Sequence, residues 1–255
     1  AKAKNTITSI AFNDPRTDEY FCYVLDVTDK LGLGDSKKSN KDETIISFKD
    51  EYDLLNGFFM KYLEIKPTIL TGWNVEFFDV CYLYNRAIQV VGQQVANVLS
   101  PINQVQWSDF QNRYKIAGVS TLDYLALYKR FTFSQRSSYR LDAIGEYEVG
   151  EKKVEYEGTL NDLYENDLDK FVEYNLQDVK LVKKIDDKLD FIEIARGLAH
   201  LGHCPYEDVF MSSRYLEGAI LVYLKKQNII APNKPPRPKK FSNDKFVGAY
   251  VQDPI

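Results

Sequence analysis

Cysteine is scarce in this 255-residue chain. Cys22, Cys81 and Cys204 are odd in number and far apart, which argues against a disulfide framework and fits a reducing compartment; the three thiols read as packing residues. No apolar run reaches membrane-spanning length, and the opening Ala1-Lys2-Ala3-Lys4 has no signal-peptide core behind it, so an intracellular chain is expected. The missing initiator Met points to a fragment. An excess of charge of one sign is absent too. Lys plus Arg total 33 against 37 acidic residues, a formal −4, so any polyanion site must be local. Carboxylates that hold divalent metal would themselves add negative charge, which keeps a metal-dependent nuclease within bounds. Disorder is excluded, because 44% apolar and 14% aromatic residues suffice for one main globular domain with an appendage.

What is present centres on Thr71-Gly72-Trp73-Asn74-Val75-Glu76-Phe77-Phe78-Asp79. Ile69 and Leu70 before it read as the end of a short buried strand. After it, Val80, Leu83, Ala87, Ile88 and Val91 recur at helical spacing. Asp79 is therefore expected at a strand-to-helix turn, near the positive end of a helix dipole and at the carboxyl edge of a sheet, where α/β folds place ligands.

Upstream, Thr6 to Phe12 and Glu19 to Asp26 alternate as strands around the turn Asn13-Asp14-Pro15-Arg16, giving a hairpin. Val27 to Asp42 reads as loop. Ser47-Phe48-Lys49-Asp50 resembles a capping box before a helix with apolar positions Tyr52, Leu55, Phe59 and Tyr62, ended by Pro67. Downstream, Ser100-Pro101 is expected to break the second helix, and Gln104 to Trp107 with Tyr114 to Ala117 suggests a surface hairpin. Gly118 to Leu122 reads as a strand entering a helix from Tyr124 to Phe131. Asp123 at that junction, like Asp142 further on, is best explained as a cap. Phe131 to Arg140 interleaves aromatics with Arg136, Arg140 and hydroxyls, which suits stacking on unpaired bases, or a loop tucked into the core. From Asp167 to about Leu201 the pattern fits two helices end to end, with Asp178 on the apolar stripe of Phe171, Tyr174, Leu181, Val182, Ile185 and Leu189. A carboxylate there is costly unless paired, hydrogen-bonded or bound to metal. Lys180, Lys183, Lys184 and Lys188 are expected on a solvated face, and Asp186, Asp187 and Asp190 in a solvated acidic run. His200, His203 and Cys204 have a spacing a metal could use, but Gly202 should end the helix there. Helical sequence from Tyr206 to Gln227 precedes a basic Pro-rich connector and strand-like Phe246 to Val251.

Hydrolysing a phosphodiester needs an activated water and stabilisation of the charge that develops, which clustered carboxylates holding two divalent metals supply; hard oxygen ligands favour Mg²⁺ or Mn²⁺. The sequence offers Asn74-x-x-x-Phe78-Asp79 and Tyr174-x-x-x-Asp178, the latter at i and i+4 on one helix face. Tyr-x-x-x-Asp alone arises by chance roughly once or twice in such a composition. The order and placement of the two motifs raise the pair above either part.

These motifs resemble the second and third exonuclease motifs of family B DNA polymerases. Ile69 to Glu76, Leu122 to Lys129, Tyr174 to Val179 and Gly248-Ala249-Tyr250-Val251 are similar to the polymerases of T-even-type tailed bacteriophages. The resemblance implies an α/β, ribonuclease H-like 3′-5′ exonuclease fold, a mixed sheet flanked by helices that lacks its first strand, over residues 1–190. A helical segment at 191–233 would follow, then a basic Pro-rich linker and first palm strand at 234–255. It implies a proofreading nuclease of a DNA-directed DNA polymerase with a two-metal Mg²⁺ or Mn²⁺ site. Asp79 and Asp178 would be metal ligands, Tyr174 would orient the attacking water and Lys153 would stand near the scissile phosphate. Asn74 and Phe78 would hold the frayed 3′ end, with Thr121, Leu122 and Arg136 as further DNA contacts. No Asp-x-Glu precedes the first hairpin, so the family's first exonuclease motif is missing. The partners implied are single-stranded and primer-template DNA, the rest of the polymerase, a sliding clamp and a single-strand binding protein, in the cytoplasm of an infected bacterium. The rival readings are a stand-alone exonuclease with the same metal chemistry and a non-catalytic single-strand-binding or architectural module.

Overall fold

Strand alternation in the first fifty residues builds a sheet covered on both faces. In the computed structural model, which describes residues 3–34, 37–109 and 111–233, β1 (Ser9–Asp14) and β2 (Glu19–Leu25) form the expected hairpin, with Asp14 opposite Glu19. The Asp14 carboxylate accepts from the Arg16 backbone at 3.1 Å and from its guanidinium at 2.8 Å, and that side-chain bond holds its carboxyl below the usual carboxylate range.

The stretch read as loop contains β3 (Lys37–Ser39), and β4 (Glu43–Phe48) follows it, giving the order β1-β2-β4-β3 with β2 and β4 parallel. Ser47 pairs with Val24 in that ladder, so it starts no capping box. The N-cap of α1 (Glu51–Ile65) is Asp50, whose side chain accepts from the Asp53 amide at 2.8 Å. The β-branched run Thr44-Ile45-Ile46 suits a pleated, half-buried surface and overrides the local cap pattern, leaving the Ser47 hydroxyl buried without a hydrogen-bond partner.

Period two divides the core. Phe21, Tyr23 and Leu25 pack with Leu54, Leu55, Phe58, Phe59 and Tyr62 of α1 on one face. Cys22 and Val24 pack with Leu168, Phe171, Val172 and Leu176 on the other. Tyr52 is exposed, unlike the apolar position expected of it. Burial pushes the Cys22 thiol up to about 12, as an inert packing group requires.

After α1, β5 (Ile69–Gly72) leads through the Trp73–Phe78 turn into α2 (Asp79–Val90). That helix stops well before Ser100-Pro101. Gly92, at φ 93°, redirects the chain into the short α3 (Gln93–Ala96). The hairpin of β6 (Val105–Ser108) and β7 (Arg113–Ile116) matches expectation, and β8 (Ser120–Asp123) runs parallel to β5. Next come α4 (Tyr124–Phe131), α5 (Leu141–Val149), α6 (Leu160–Asn166), α7 (Leu168–Leu189), α8 (Phe191–Gly202) and α9 (Ser212–Lys226). The break between α7 and α8 is Asp190, at φ 56°. Leu122, Tyr124, Leu127, Leu181 and Ile185 share one apolar cluster with Phe191, Ala195 and Ala199, so packing is continuous across residue 190.

Lys184 and Lys188 are exposed, as expected, and Lys180 and Lys183 partly so, and all four are paired with acidic residues. Lys180 pairs with Glu43, Lys183 with Asp187, Lys184 with Glu151 at 2.6 Å and Lys188 with Glu148 at 3.1 Å. Asp186 is half-buried, pushed up by burial, and accepts from the Ile192 amide at 3.3 Å. Asp142 lies in the first turn of α5, whose N-cap position is Arg140. His203 is the left-handed residue that ends α8. No helix among the described residues is long and apolar enough to cross a membrane. The connector and strand-like tail read over 234–255 lie outside the described residues. The architecture is mixed α/β, with small sheets and several helices.

Candidate active site

Tyr174 and Asp178 stand one turn apart on α7, as their spacing requires, and Lys153 arrives from the segment after α5 to join them. Its ammonium donates to the Tyr174 hydroxyl at 3.1 Å and to the Oδ2 carboxylate oxygen of Asp178. It also lies 5.1 Å from the centre of the Tyr174 ring. Tyr156, three residues on from Lys153, packs edge-on against Tyr174 at 5.3 Å. Burial raises the Tyr174 phenol against the opposing pull of Lys153, so it stays protonated at neutral pH. Burial also raises Asp178, and Lys153 pulls it back down. Burial is the largest single effect on Lys153 and lowers it, but Asp178 and Tyr174 together outweigh this and leave it raised.

Asp79 begins α2 with its side chain open to solvent on one side. Desolvation by the protein around it pushes its carboxyl up to about 6; the charges of Asp123 and Asp178 act in the same direction, and Lys153 acts against them. Asp79 is therefore close enough to Asp178 and Lys153 for their charges to act on it. The Oδ1 oxygen of Asp178 is buried without a hydrogen-bond partner. An orphaned carboxylate oxygen within electrostatic reach of a second carboxylate is of the chemistry a hard divalent cation takes. No group of three or more His, Cys, Asp or Glu side chains poised for a metal occurs among the described residues.

The turn that presents Asp79 is held by residues the motifs do not include. Trp73 stacks on Tyr124 at 6.3 Å, and its indole N–H donates to the Tyr139 carbonyl at 3.1 Å. Glu76, buried, pairs with Arg113 of β7. Asn74, at φ 64°, donates its amide to Asp123. Phe77 and Phe78 are left exposed, with Phe78 stacked on Tyr82 at 6.2 Å.

Other expected contacts sit differently. Leu122 is fully buried and Thr121 nearly so, because β8 is a core strand beside β5; their side chains face packing partners, not a surface. The Arg136 guanidinium is engaged within the fold, donating to the Tyr128 hydroxyl at 3.0 Å and to Glu148 at 3.4 Å, 3.7 Å over the Tyr147 ring. In the same loop Phe133 is wholly exposed.

Sequence comparison gives the fold its kinship. The family described as DNA polymerase family B, exonuclease domain, matches residues 4–144, and the chain belongs to that family. The matched stretch holds Asn74 to Asp79 and Thr121-Leu122; Lys153, Tyr174 and Asp178 lie beyond it. The chain is 31% identical over 278 aligned positions to the DNA-directed DNA polymerase of Escherichia phage RB69, covering 100% of this chain and 30% of that protein. It is 32% identical over 213 positions to the DNA-directed DNA polymerase of Enterobacteria phage T4, covering 81% and 23%. The DNA polymerase of guinea pig cytomegalovirus is 25% identical over 208 positions, covering 74% and 18%. The chain thus spans less than a third of the length of these relatives.

Proposed function

We propose that this chain carries the 3′-to-5′ proofreading nuclease of a replicative, phage-type family B DNA polymerase. The observation that supports the reading is the cluster of Lys153, Tyr174 and Asp178, whose Lys153 and Asp178 charges reach Asp79, with one oxygen of Asp178 orphaned. The substrate is the 3′-terminal phosphodiester of single-stranded DNA frayed from a primer-template. The fold in this reading is ribonuclease H-like over 1–190, followed by a helical segment at 191–233 and a linker with a palm strand at 234–255.

Asp79 and Asp178 would hold divalent cations, Mg²⁺ or Mn²⁺, together with ligands from a further strand bearing Asp-x-Glu. Such cations, when bound, lower the pKa of water and stabilise charge on the phosphate and the leaving 3′ oxygen. Tyr174, protonated and fixed by Lys153, orients the attacking water through its hydroxyl. The Lys153 ammonium, already at Asp178, places positive charge beside the scissile phosphate. Water adds at phosphorus, the bond to the 3′ oxygen breaks, and a nucleoside monophosphate leaves. Asn74 and the exposed ring of Phe78 hold the terminal nucleotide, the ring by stacking. Thr121 and Leu122 serve from beneath, fixing β8 beside β5, and Arg136 shapes the loop that presents Phe133. A sliding clamp, a single-strand binding protein and the infected-cell cytoplasm belong to the complete polymerase in this proposal.

Because this chemistry takes ligands from a further strand, one second reading stands beside it, a module that binds single-stranded DNA without cutting it. Shortening of 5′-labelled single-stranded DNA in Mg²⁺ or Mn²⁺ separates the two. The nuclease reading expects laddering from the 3′ end once a strand carrying Asp-x-Glu is joined ahead of β1, abolished by Asp178→Ala. No digestion with that strand present would leave the binding module.

A further inference from the structure

Asp123 closes β8 and opens α4, and its carboxylate serves two elements at once. Its oxygens accept from the amides of Leu125 at 3.0 Å and Ala126 at 3.3 Å, the open N–H groups at the start of α4. They also accept from the amides of Asn74 and Glu76, each at 3.2 Å, in the turn that follows β5. Gly72 and Asp123 are register partners at the ends of two parallel strands, so the side chain reaches across to the neighbouring strand's exit. The residue is 3% exposed. We propose that Asp123 is the positioning residue of the site, its carboxylate fixing the Trp73–Phe78 turn to the start of α4 and thereby setting where Asp79 stands.

Only this side-chain type fits the task. A carboxylate offers two oxygens with about four acceptor positions, and the four amides use both oxygens. A serine caps a helix well but has one short arm, which cannot bridge to Asn74 and Glu76. Without the carboxylate, Asn74 loses the bond that holds its left-handed conformation, and the buried Glu76 amide loses its acceptor. The side-chain anchors, Trp73 on Tyr139 and Glu76 on Arg113, grip the flanks of the turn but not its backbone. The Asp123 charge also faces Asp79 and adds to the local negative potential. The consequence for cation binding rests on the reading of Asp79 as a ligand; the anchoring does not.

The test uses the full chain with Asp123→Ser and Asp123→Ala, followed by melting temperature, amide hydrogen exchange and Mn²⁺ titration by electron paramagnetic resonance. The serine variant should melt within about 3 °C of the parent, since it keeps the cap that Asp123→Ala loses. Its Asn74 and Glu76 amides should exchange at least about tenfold faster, and Mn²⁺ affinity should fall about fivefold or more. Parental exchange at Asn74 and Glu76 in the serine variant would overturn the proposal, leaving Asp123 as a helix cap. Faster exchange with unchanged Mn²⁺ affinity would uphold the anchor and overturn Asp79 as a ligand, and with it the proposed chemistry. Should the serine variant not fold, Asp123→Asn keeps the volume and one acceptor oxygen; faster exchange at either amide then upholds the anchor, and parental exchange at both overturns it.

Discussion

Asp178 has an ammonium on one carboxylate oxygen and nothing on the other, and that asymmetry defines how the site should respond to change. Lys153 competes with any cation for the same negative charge. Two unit charges about 4 Å apart attract by roughly 4 kcal/mol at an effective dielectric of 20, so releasing even part of this matters. At pH 8, Lys153→Met should bind Mn²⁺ several-fold more tightly than the parent and, in the chain joined to an Asp-x-Glu strand, should lose strand shortening; weaker binding would mean that Lys153 supports the cation instead of opposing it. Asp79 gives the pH response. If, as proposed, its carboxyl, raised to about 6, takes either a proton or a cation, Mn²⁺ affinity should fall as pH drops through about 6, and Asp79→Asn should flatten that profile. Asp14 works on stability with the opposite sign of shift. Arg16 lowers its folded pKa below the unfolded value, so the contribution is present above the unfolded pKa and lost as pH falls through the folded one. The melting-temperature gap between Arg16→Ala and the parent should therefore close as pH is lowered through the carboxylate range.

At the scale of elements, two glycines set helix spacing. A Cβ on Gly218 of α9 would clash with the Gly202 carbonyl of α8, a backbone atom that cannot turn aside. A Cβ on Gly145 of α5 would meet the Leu181 tip at 2.7 Å and the Glu151 carbonyl at 2.9 Å, just ahead of Lys153. Both alanine variants should lose about 1–3 kcal/mol by overpacking, measured by denaturant melts. In the chain joined to an Asp-x-Glu strand, only Gly145→Ala should also slow strand shortening, because α5 leads into the Lys153 segment. Equal activity in both variants would show that α5 does not control that lysine. Elements with a strong period were legible in the sequence. The β1–β2 hairpin, β5, β8 and the α7–α8 pair fall where alternation and the apolar stripe put them. β4 was hidden because Ser47 to Asp50 imitates a cap, and α5 and α6 bury too few residues to show a stripe. In the site, the meeting of Tyr174 with Asp178 is a local matter of one helical turn, and Lys153 was found by resemblance to a family motif. The anchors were not legible, because Trp73 to Tyr139 and Asn74 to Asp123 are separated by 66 and 49 residues and no short spacing encodes them.

For the whole molecule, the open edges of the sheets carry the main consequence. Among the described residues β1 has one strand partner, β2, and β5 has one, β8. Among those residues each therefore has an edge of N–H and C=O groups without a strand partner, which folded proteins ordinarily cover or pair. α7 covers the face of β1, and Ser9 donates to Asn175 at 3.0 Å, but a helix does not complete a strand ladder. In the proposed ribonuclease H-like arrangement a strand carrying Asp-x-Glu pairs with both edges, joins the two sheets and sets its carboxylates opposite Asp79 and Asp178. Stability and chemistry should then rise together. Joining such a strand ahead of β1 should raise the melting temperature by about 5 °C or more, roughly 2 kcal/mol for a chain of this size. It should also slow amide exchange along both β1 and β5. Replacing both of its carboxylates by Asn and Gln should keep the stabilisation but remove Mn²⁺-dependent shortening. A strand that slows exchange in β1 alone would show that the two sheets do not share it, and the proposed fold would have to be given up.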